Sequence, residues 1–244
     1  MDEKHAPMPP PIRRGLSPAR LVMAIGYLSL AAVTYWYFQT RPALHQGFQP
    51  NPSPVTVSNE LVPLEAHIMS KCPDARDCLR DMVLPAMQKV HDKVNFTLSF
   101  IGRPTDQDDG VACKHGPEEC LGNIIELCAQ KLYPDPKTFL GFTMCLTRDY
   151  KHIPERSLIE DCALEHAIDF DQLNECATKD DGAFGVGMLR ESVKRTAKAG
   201  VTKSCTVRLN NEIYCVRDDG EWTECASGPA VNDLVTAIEK LYSA

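Results

Sequence analysis

The chain has 244 residues, eleven cysteines and a formal net charge of −7 at pH 7. This acidic balance argues against nucleic-acid binding, which needs clustered Lys and Arg to neutralise phosphates. The length allows one sizeable domain with appendages and does not indicate an oligomeric state. So many cysteines are typical of an oxidising lumen, and the odd number leaves at least one thiol unpaired in a monomer. Five disulfides and one free thiol form the simplest arrangement.

The N-terminal part is predicted to carry a membrane anchor. Residues 1–20 are rich in proline and read as a disordered cytosolic tail. Residues 21–38 carry no charge and would form a helix of about 27 Å, close to the thickness of a bilayer core. Arg13, Arg14 and Arg20 precede this run, which predicts that the N-terminus stays in the cytosol.

The sequence therefore predicts a single-pass type II membrane protein with a transmembrane signal anchor over residues 21–40. Its C-terminal domain would face the lumen of the endoplasmic reticulum, Golgi or lysosome/vacuole. The alternative is a cleaved signal peptide and a secreted protein. Residues 41–60 hold several prolines and read as a stalk, so the folded lumenal domain is expected at residues 61–244.

A strand over residues 62–69 leads into Cys72 at a turn, and an amphipathic helix follows. Pro73 suits the first position of that helix, where a missing N–H costs nothing. Apolar residues then recur at helical spacing at Leu79, Met82, Val83 and Ala86. The free N–H groups and the dipole of a helix N-terminus favour thiolate over thiol, so Cys72 is a candidate nucleophile. The alternative is an ordinary half-cystine of a structural disulfide.

Residues 94–101 alternate apolar and polar side chains, which predicts a half-exposed strand at a sheet edge. Within it, Asn95-Phe96-Thr97 is an N-glycosylation acceptor, with Asn95 on the polar face.

Residues 103–200 show helix-like patterns and no strand-like runs, which predicts a helical insertion stapled by disulfides. The glycines at 182, 185 and 187 are interpreted as a loop. The expected helices span residues 121–132, 137–146, 157–170 and 188–199, and the cysteines among them are Cys113, Cys120, Cys128, Cys145, Cys162 and Cys176.

Asn210-Asn211 lies between two strand-like runs, 201–209 and 212–217, and predicts a hairpin. With a two-residue turn, Thr206 would face Cys215, and Cys205 and Cys215 would point to opposite faces. These two cysteines should then not bond to each other. An amphipathic helix over residues 231–242 closes the chain.

The order of strand, cysteine-led helix, strand, insertion, hairpin and helix predicts an α/β (α+β) thioredoxin-like fold. A crossover between parallel strands needs a helix, which residues 73–90 supply.

Residues 113–128 read CKHGPEECLGNIIELC. This segment resembles the signature C-Q-H-G-x2-E-C-x2-N-x4-C of the gamma-interferon-inducible lysosomal thiol reductase family, with Lys114 in place of the glutamine. The matching residues are Cys113, His115, Gly116, Glu119, Cys120, Asn123 and Cys128. The resemblance extends over residues 61–244 and implies a thioredoxin-like enzyme that reduces disulfides of protein substrates through a C-x-x-C pair. The nucleophile of that pair would be Cys72, and no cofactor or metal is expected.

The match has two departures. Ala75 stands where the family has its second active cysteine, and Cys205 appears where thioredoxin-like folds place a cis-proline beside the nucleophile. We hypothesise that Cys205 is the resolving thiol or forms a bridge with Cys72. Cys78 lies too far along a continuous helix to reach Cys72, since six residues rise about 9 Å, and a disulfide framework is its expected role.

Three functions follow as hypotheses: a thiol oxidoreductase using Cys72, a binding or chaperone-like module without turnover, and a structural lumenal module with every cysteine paired. His115 is interpreted as a structural or capping residue, since nothing links it to Cys72.

Overall fold

The computed structural model describes residues 30–37, 39, 60–106 and 110–243. The predicted tail lies outside these residues, as does the stalk up to residue 59. Of the predicted anchor, residues 30–37 and 39 are described, and they are helical. None of the described helices combines the length and apolar character needed to cross a bilayer. The anchor therefore stays a prediction. The chain divides into two compact units, 1–56 and 57–244, and the second holds the predicted lumenal domain.

The described residues of the second unit form seven strands and a set of helices. The strands are β1 (Val62–Ile68), β2 (Val94–Phe100), β3 (Arg103–Pro104), β4 (Val111–Ala112), β5 (Thr206–Leu209), β6 (Glu212–Asp218) and β7 (Glu221–Thr223). The helices are α1 (residues 73–90, in the consecutive segments Pro73–Cys78, Leu79–Val83 and Leu84–Val90), α2 (Pro117–Leu132), α3 (Pro136–Arg148), α4 (Arg156–Glu165), α5 (Phe170–Thr178), α6 (Ala183–Lys198) and α7 (Val231–Tyr242). A 3-10 turn, Tyr150–His152, separates α3 from α4.

The five-stranded sheet has the order β2-β1-β5-β6-β7. The strands β1 and β2 are parallel and joined by α1, while β5, β6 and β7 each run antiparallel to their neighbour. This is the thioredoxin-like arrangement that the order of elements predicts, and β2 lies at the sheet edge as expected. Alternate residues of β1 (Leu64, Ala66 and Ile68) are fully buried and form the centre of the core.

The middle segment of α1, Leu79–Val83, is a π-helix. The N–H of Leu84 donates to the carbonyl of Leu79, five residues back. Pro85 follows and has no N–H for the ordinary helical bond, which accounts for the local change of pitch.

The insertion is mostly helical, as predicted, with two corrections. The strands β3 and β4 form a short two-stranded sheet where no strand was expected. The helix expected over residues 157–170 ends at Glu165, because Ala167 takes a left-handed conformation (φ 55°). Asp169 then starts α5 by accepting hydrogen bonds from the N–H groups of Asp171 and Gln172.

The interpretation of the three glycines as a loop is wrong for two of them. Gly182 (φ 85°) is the residue before α6, but Gly185 and Gly187 lie inside that helix. A Cβ at Gly185 would lie 2.7 Å from Cγ2 of Ile124 on α2. This glycine therefore allows the close approach of α6 to α2.

The hairpin turn is confirmed, but its register differs from the prediction. Asn210 and Asn211 both have positive φ (49° and 68°), as a two-residue primed turn requires. An irregularity between Val207 and Arg208 then shifts the pairing by one residue, so that Val207 rather than Thr206 lies opposite Cys215.

Candidate functional site

Cys72 is the residue that caps the N-terminus of α1, as predicted. Its backbone is extended (φ −100°, ψ 128°), and Pro73 occupies the first helical turn. The carbonyl of Cys72 accepts the N–H of Arg76 at 3.3 Å. The side chain is buried, with 8% exposure, and the sulfur is a free thiol.

The other ten cysteines form five disulfides, which confirms the expected arrangement of five bridges and one free thiol. The pairs are Cys78–Cys205, Cys113–Cys120, Cys128–Cys176, Cys145–Cys162 and Cys215–Cys225. Cys205 and Cys215 do not bond to each other, as predicted, but the predicted reason is wrong: with Val207 opposite Cys215 and Cys205 opposite Arg217, the two cysteines lie on the same face of the hairpin.

The hypothesis of a Cys72–Cys205 bridge is wrong, because Cys205 is bonded to Cys78 with 6.2 Å between their Cα atoms. Cys78 lies within the core-facing side of α1 and is fully buried, as Ala75 and Cys205 are. The framework role expected for Cys78 is confirmed. In this structure Cys205 has no thiol with which to resolve a mixed disulfide on Cys72.

The start of the hairpin nevertheless lies beside Cys72, as the family pattern implied. The thiol of Cys72 donates to the carbonyl of Ser204 at 3.6 Å. The peptide bond between Ser204 and Cys205 is cis. The hydroxyl of Ser204 also accepts the N–H of Met69 at 2.8 Å.

The turn 69–72, which connects β1 to α1, is held by hydrogen bonds from the insertion. The N–H of Cys72 donates to the carbonyl of Met69 at 3.0 Å, closing the turn. The N–H of Ser70 donates to Oδ1 of Asn123 at 3.0 Å, and the Ser70 hydroxyl donates to the carbonyl of Glu119 at 3.2 Å.

The same turn is fixed on its exposed side by Lys71. Its Nζ donates to the carbonyl of Lys151 at 3.0 Å and to that of Ile153. The sequence did not single out Ser70, Lys71 or Ser204, because hydrogen bonds to distant segments leave no local pattern.

The family signature forms the start of α2 and the loop before it. Gly116 (φ 88°) precedes the helix, and the disulfide Cys113–Cys120 closes the loop. His115 contacts the buried carboxylate of Glu119 through both its ring Nδ1 and its backbone N–H. These contacts agree with the structural one of the two roles expected for His115; the N-cap position of α2 is taken by Gly116.

The charged side chains of the first turn of α1 bind other groups rather than the Cys72 thiol. The carboxylate of Asp74 accepts the N–H groups of Asp219 and Gly220 at 3.1 and 2.9 Å, and lies 4.0 Å from Nε of Arg217. The carboxylate of Asp77 pairs with Arg76 at 2.8 Å, and this hydrogen bond lowers the pKa of Asp77.

Glu126 and His67 are buried titratable groups outside this turn, and the pKa of each is shifted. Burial, together with the charge of Glu119, raises the pKa of Glu126 well above its ordinary value of 4.5. Burial lowers the pKa of His67, although Glu65 acts in the opposite direction.

One group of side chains brings three potential metal-ligand atoms within 4.8 Å of one another: Cys145, Glu165 and His166. Cys145 is bonded to Cys162. Its sulfur is therefore not a thiolate, the form in which cysteine binds metals.

Asn95, the predicted glycosylation acceptor, is exposed on β2 at the sheet edge. Its modification stays a prediction.

Comparisons with known proteins point to one family. A family model described as "Gamma interferon inducible lysosomal thiol reductase (GILT)" matches residues 63–166. The chain is 35% identical over 206 residues to the gamma-interferon-inducible lysosomal thiol reductase of Carassius auratus, covering 82% of this chain and 73% of that protein. It is 27% identical over 168 residues to GILT-like protein 1 of Drosophila melanogaster, covering 62% of this chain and 67% of that protein.

Among solved structures, the thiol-disulfide exchange protein alpha-DsbA2 from Wolbachia pipientis overlaps 74% of this chain and 81% of its own, with a TM-score of 0.49 and 14% identity. The strand order described above, rather than this overlap, identifies the fold.

Proposed function

Because the chain belongs to the gamma-interferon-inducible lysosomal thiol reductase family, we propose that it is a thiol oxidoreductase that reduces protein disulfides with Cys72 as nucleophile. The observation that carries this proposal is the state of the cysteines. Ten of the eleven are paired, and the one free thiol belongs to Cys72, at the N-cap position of the helix that follows β1. That is where a thioredoxin-like enzyme needs its reactive sulfur.

In the first step, the thiolate of Cys72 attacks one sulfur of a substrate disulfide. A bond forms between Sγ of Cys72 and that sulfur, the substrate S–S bond breaks, and the other substrate sulfur leaves as a thiolate. Cys72 occupies the N-cap position of α1, at the end of the helix where backbone N–H groups lack partners within the helix. The carbonyl of Ser204, 3.6 Å away, holds the thiol before it loses its proton.

An external thiol of low molecular mass completes the reaction. Ala75 has no sulfur, and Cys78 and Cys205 are bonded to each other, so neither supports an internal second step. The external thiolate attacks Sγ of Cys72 and releases the second substrate thiolate. A second external thiol then frees Cys72 and leaves as the oxidised small disulfide, so that two external thiols reduce one substrate disulfide.

We place this activity in a secretory or lysosomal-type lumen. Five disulfides require an oxidising compartment. The exposed acceptor Asn95 agrees with passage through that compartment. The uncharged run at residues 21–38 would tether the domain to the membrane as a type II protein.

The test combines labelling with turnover. The native protein is alkylated at mildly acidic pH and the modified residue is identified by mass spectrometry. Reduction of insulin disulfides is then measured with a small thiol as the electron source. We expect labelling at Cys72 and loss of reduction in Cys72→Ser. The double variant Cys215→Ser/Cys225→Ser, which removes a disulfide and keeps Cys72, should retain activity.

A second candidate function is a binding or chaperone-like module that traps client thiols without turnover. The buried Ala75 and the Cys78–Cys205 disulfide favour it, because the domain then has no internal means of releasing a mixed disulfide. Labelling of Cys72 without insulin reduction would support this module. Absence of labelling would refute both functions and leave a structural lumenal domain.

A further inference from the structure

The turn that carries Cys72 takes its conformation from segments far away in sequence. Met69 and Ser70 contribute two successive N–H groups, and neither bonds to a neighbouring strand. The first is bound by the hydroxyl of Ser204, 135 residues away, and the second by the amide of Asn123, 53 residues away. Both bonds are buried, and a buried N–H without a partner is costly.

The contribution from α2 is built into the signature motif. Asn123 and Glu119 lie on one face of that helix and are fully buried, as Ser70 is. The amide of Asn123 accepts from the Ser70 backbone through Oδ1 and donates to the sulfur of Cys113 through Nδ2 at 3.8 Å. It therefore joins the turn of Cys72 to the disulfide loop at the start of α2.

Gly122 independently indicates that α2 packs closely against the turn that carries Cys72. A Cβ at this position would lie 2.7 Å from Oγ of Ser70, and it would also collide with the side chain of Ile153. Any residue larger than glycine would push α2 away from the turn and lengthen the bond between Asn123 and Ser70.

We infer that Asn123 is a positioning residue for Cys72, and that the buried polar face of the signature helix sets the geometry of the nucleophile. Without the Asn123 amide, the Ser70 N–H has no partner and the turn is free to change conformation. Cys72 closes this turn through its own N–H, so its thiol moves with it. The inference rests on the proposed role of Cys72 as far as catalysis is concerned.

The test follows the alkylation rate of Cys72 by iodoacetamide across pH in the folded full-length protein, together with the melting temperature. In Asn123→Ala we expect the rate to change by at least about fivefold, since a buried hydrogen bond to the turn that carries the thiol is lost. Asn123→Asp keeps an oxygen acceptor and should bring the rate back to within about twofold of the wild type.

Ser192→Ala is the matched control. The buried hydroxyl of Ser192 accepts the N–H of Phe100 at 2.9 Å, so this variant removes the same kind of bond at the end of β2. It should lower the melting temperature and leave the alkylation rate within about twofold of the wild type, because the turn 69–72 keeps its contacts. Equal rate changes in Asn123→Ala and Ser192→Ala would overturn the inference.

If Asn123→Ala does not fold, Ser70→Ala carries the test, because it removes only the hydroxyl bond to Glu119. A rate change of at least about twofold is expected, and an unchanged rate would refute the second part of the inference, that the contacts of α2 with this turn set the geometry of the nucleophile. Alkylation of Cys72 does not depend on catalytic turnover, so the experiments can refute the positioning role and the proposed function independently. An effect of Asn123→Ala on alkylation in a protein that does not reduce insulin refutes the proposed function alone. Insulin reduction with no effect of Asn123→Ala refutes the positioning role alone.

Discussion

The buried carboxyl group of Glu126 should make the stability of this domain depend on pH. The side chain is fully buried on α2, and among residues 60–106 and 110–243 neither carboxyl oxygen has a hydrogen-bond partner. Burial raises its pKa well above 4.5, so the native state keeps a proton that the unfolded chain loses. Its contribution to stability is therefore complete below 4.5 and declines as pH rises through the native pKa. Between pH 4.5 and the native pKa, the free energy of unfolding falls by about 1.4 kcal/mol per pH unit.

The substitution Glu126→Gln removes this dependence, because an amide does not ionise. As pH rises from 4.5 towards the native pKa of Glu126, the free energy of unfolding of the variant should gain on that of the wild type by about 1.4 kcal/mol per pH unit. Urea denaturation followed by far-UV circular dichroism at closely spaced pH values measures the difference. Glu118→Gln, which removes an exposed carboxylate from the same helix, is the control and should show no such gain. Parallel stability curves for wild type and Glu126→Gln would refute the reasoning.

Three further outcomes are expected. His67→Asn should flatten the loss of stability on acidification below about pH 6.5, because burial lowers the pKa of His67 and protonation therefore favours the unfolded chain; denaturation at pH 7 and pH 5 checks it. Gly185→Ala should destabilise the fold by about 1–3 kcal/mol through overlap with Ile124, whereas Gly187→Ala, in open space on the same helix, should stabilise it by up to about 1 kcal/mol; thermal melts separate the two. Thiol titration of the denatured, unreduced protein should yield one thiol per chain, with peptide mapping placing it at Cys72; two or more would contradict the disulfide pattern.

The sequence was sufficient where the signal is local. Pro73 after Cys72 predicts the helix start, the alternation in residues 94–101 predicts an edge strand, and Asn210-Asn211 predicts the hairpin turn. The order of these elements leads to the thioredoxin-like sheet. Each of these features depends on a few neighbouring residues whose conformational preferences agree with the final fold.

The sequence was insufficient where distant segments meet. The partner of Cys205 depends on which side chains lie within about 7 Å across the folded chain, and spacing does not encode that distance. The bulge after Val207 displaces the hairpin register by one residue without any glycine to mark it. The bond between Ser70 and Asn123 is equally invisible, because a serine and an asparagine occur in many roles.

The hydrogen bonds around the turn 69–72 also constrain the order of events during folding. Residue 72 is synthesised long before residues 123, 153 and 204, so the nascent chain carries this sulfur without the groups that later enclose it. The Cys78–Cys205 bridge spans 127 residues and closes a loop that includes the whole insertion. Such long-range closures come late, after local loops have formed. Until then the thiol of residue 72 is open to oxidation, as the other ten thiols are. Correct maturation therefore requires that it stay reduced while the other ten form their five disulfides.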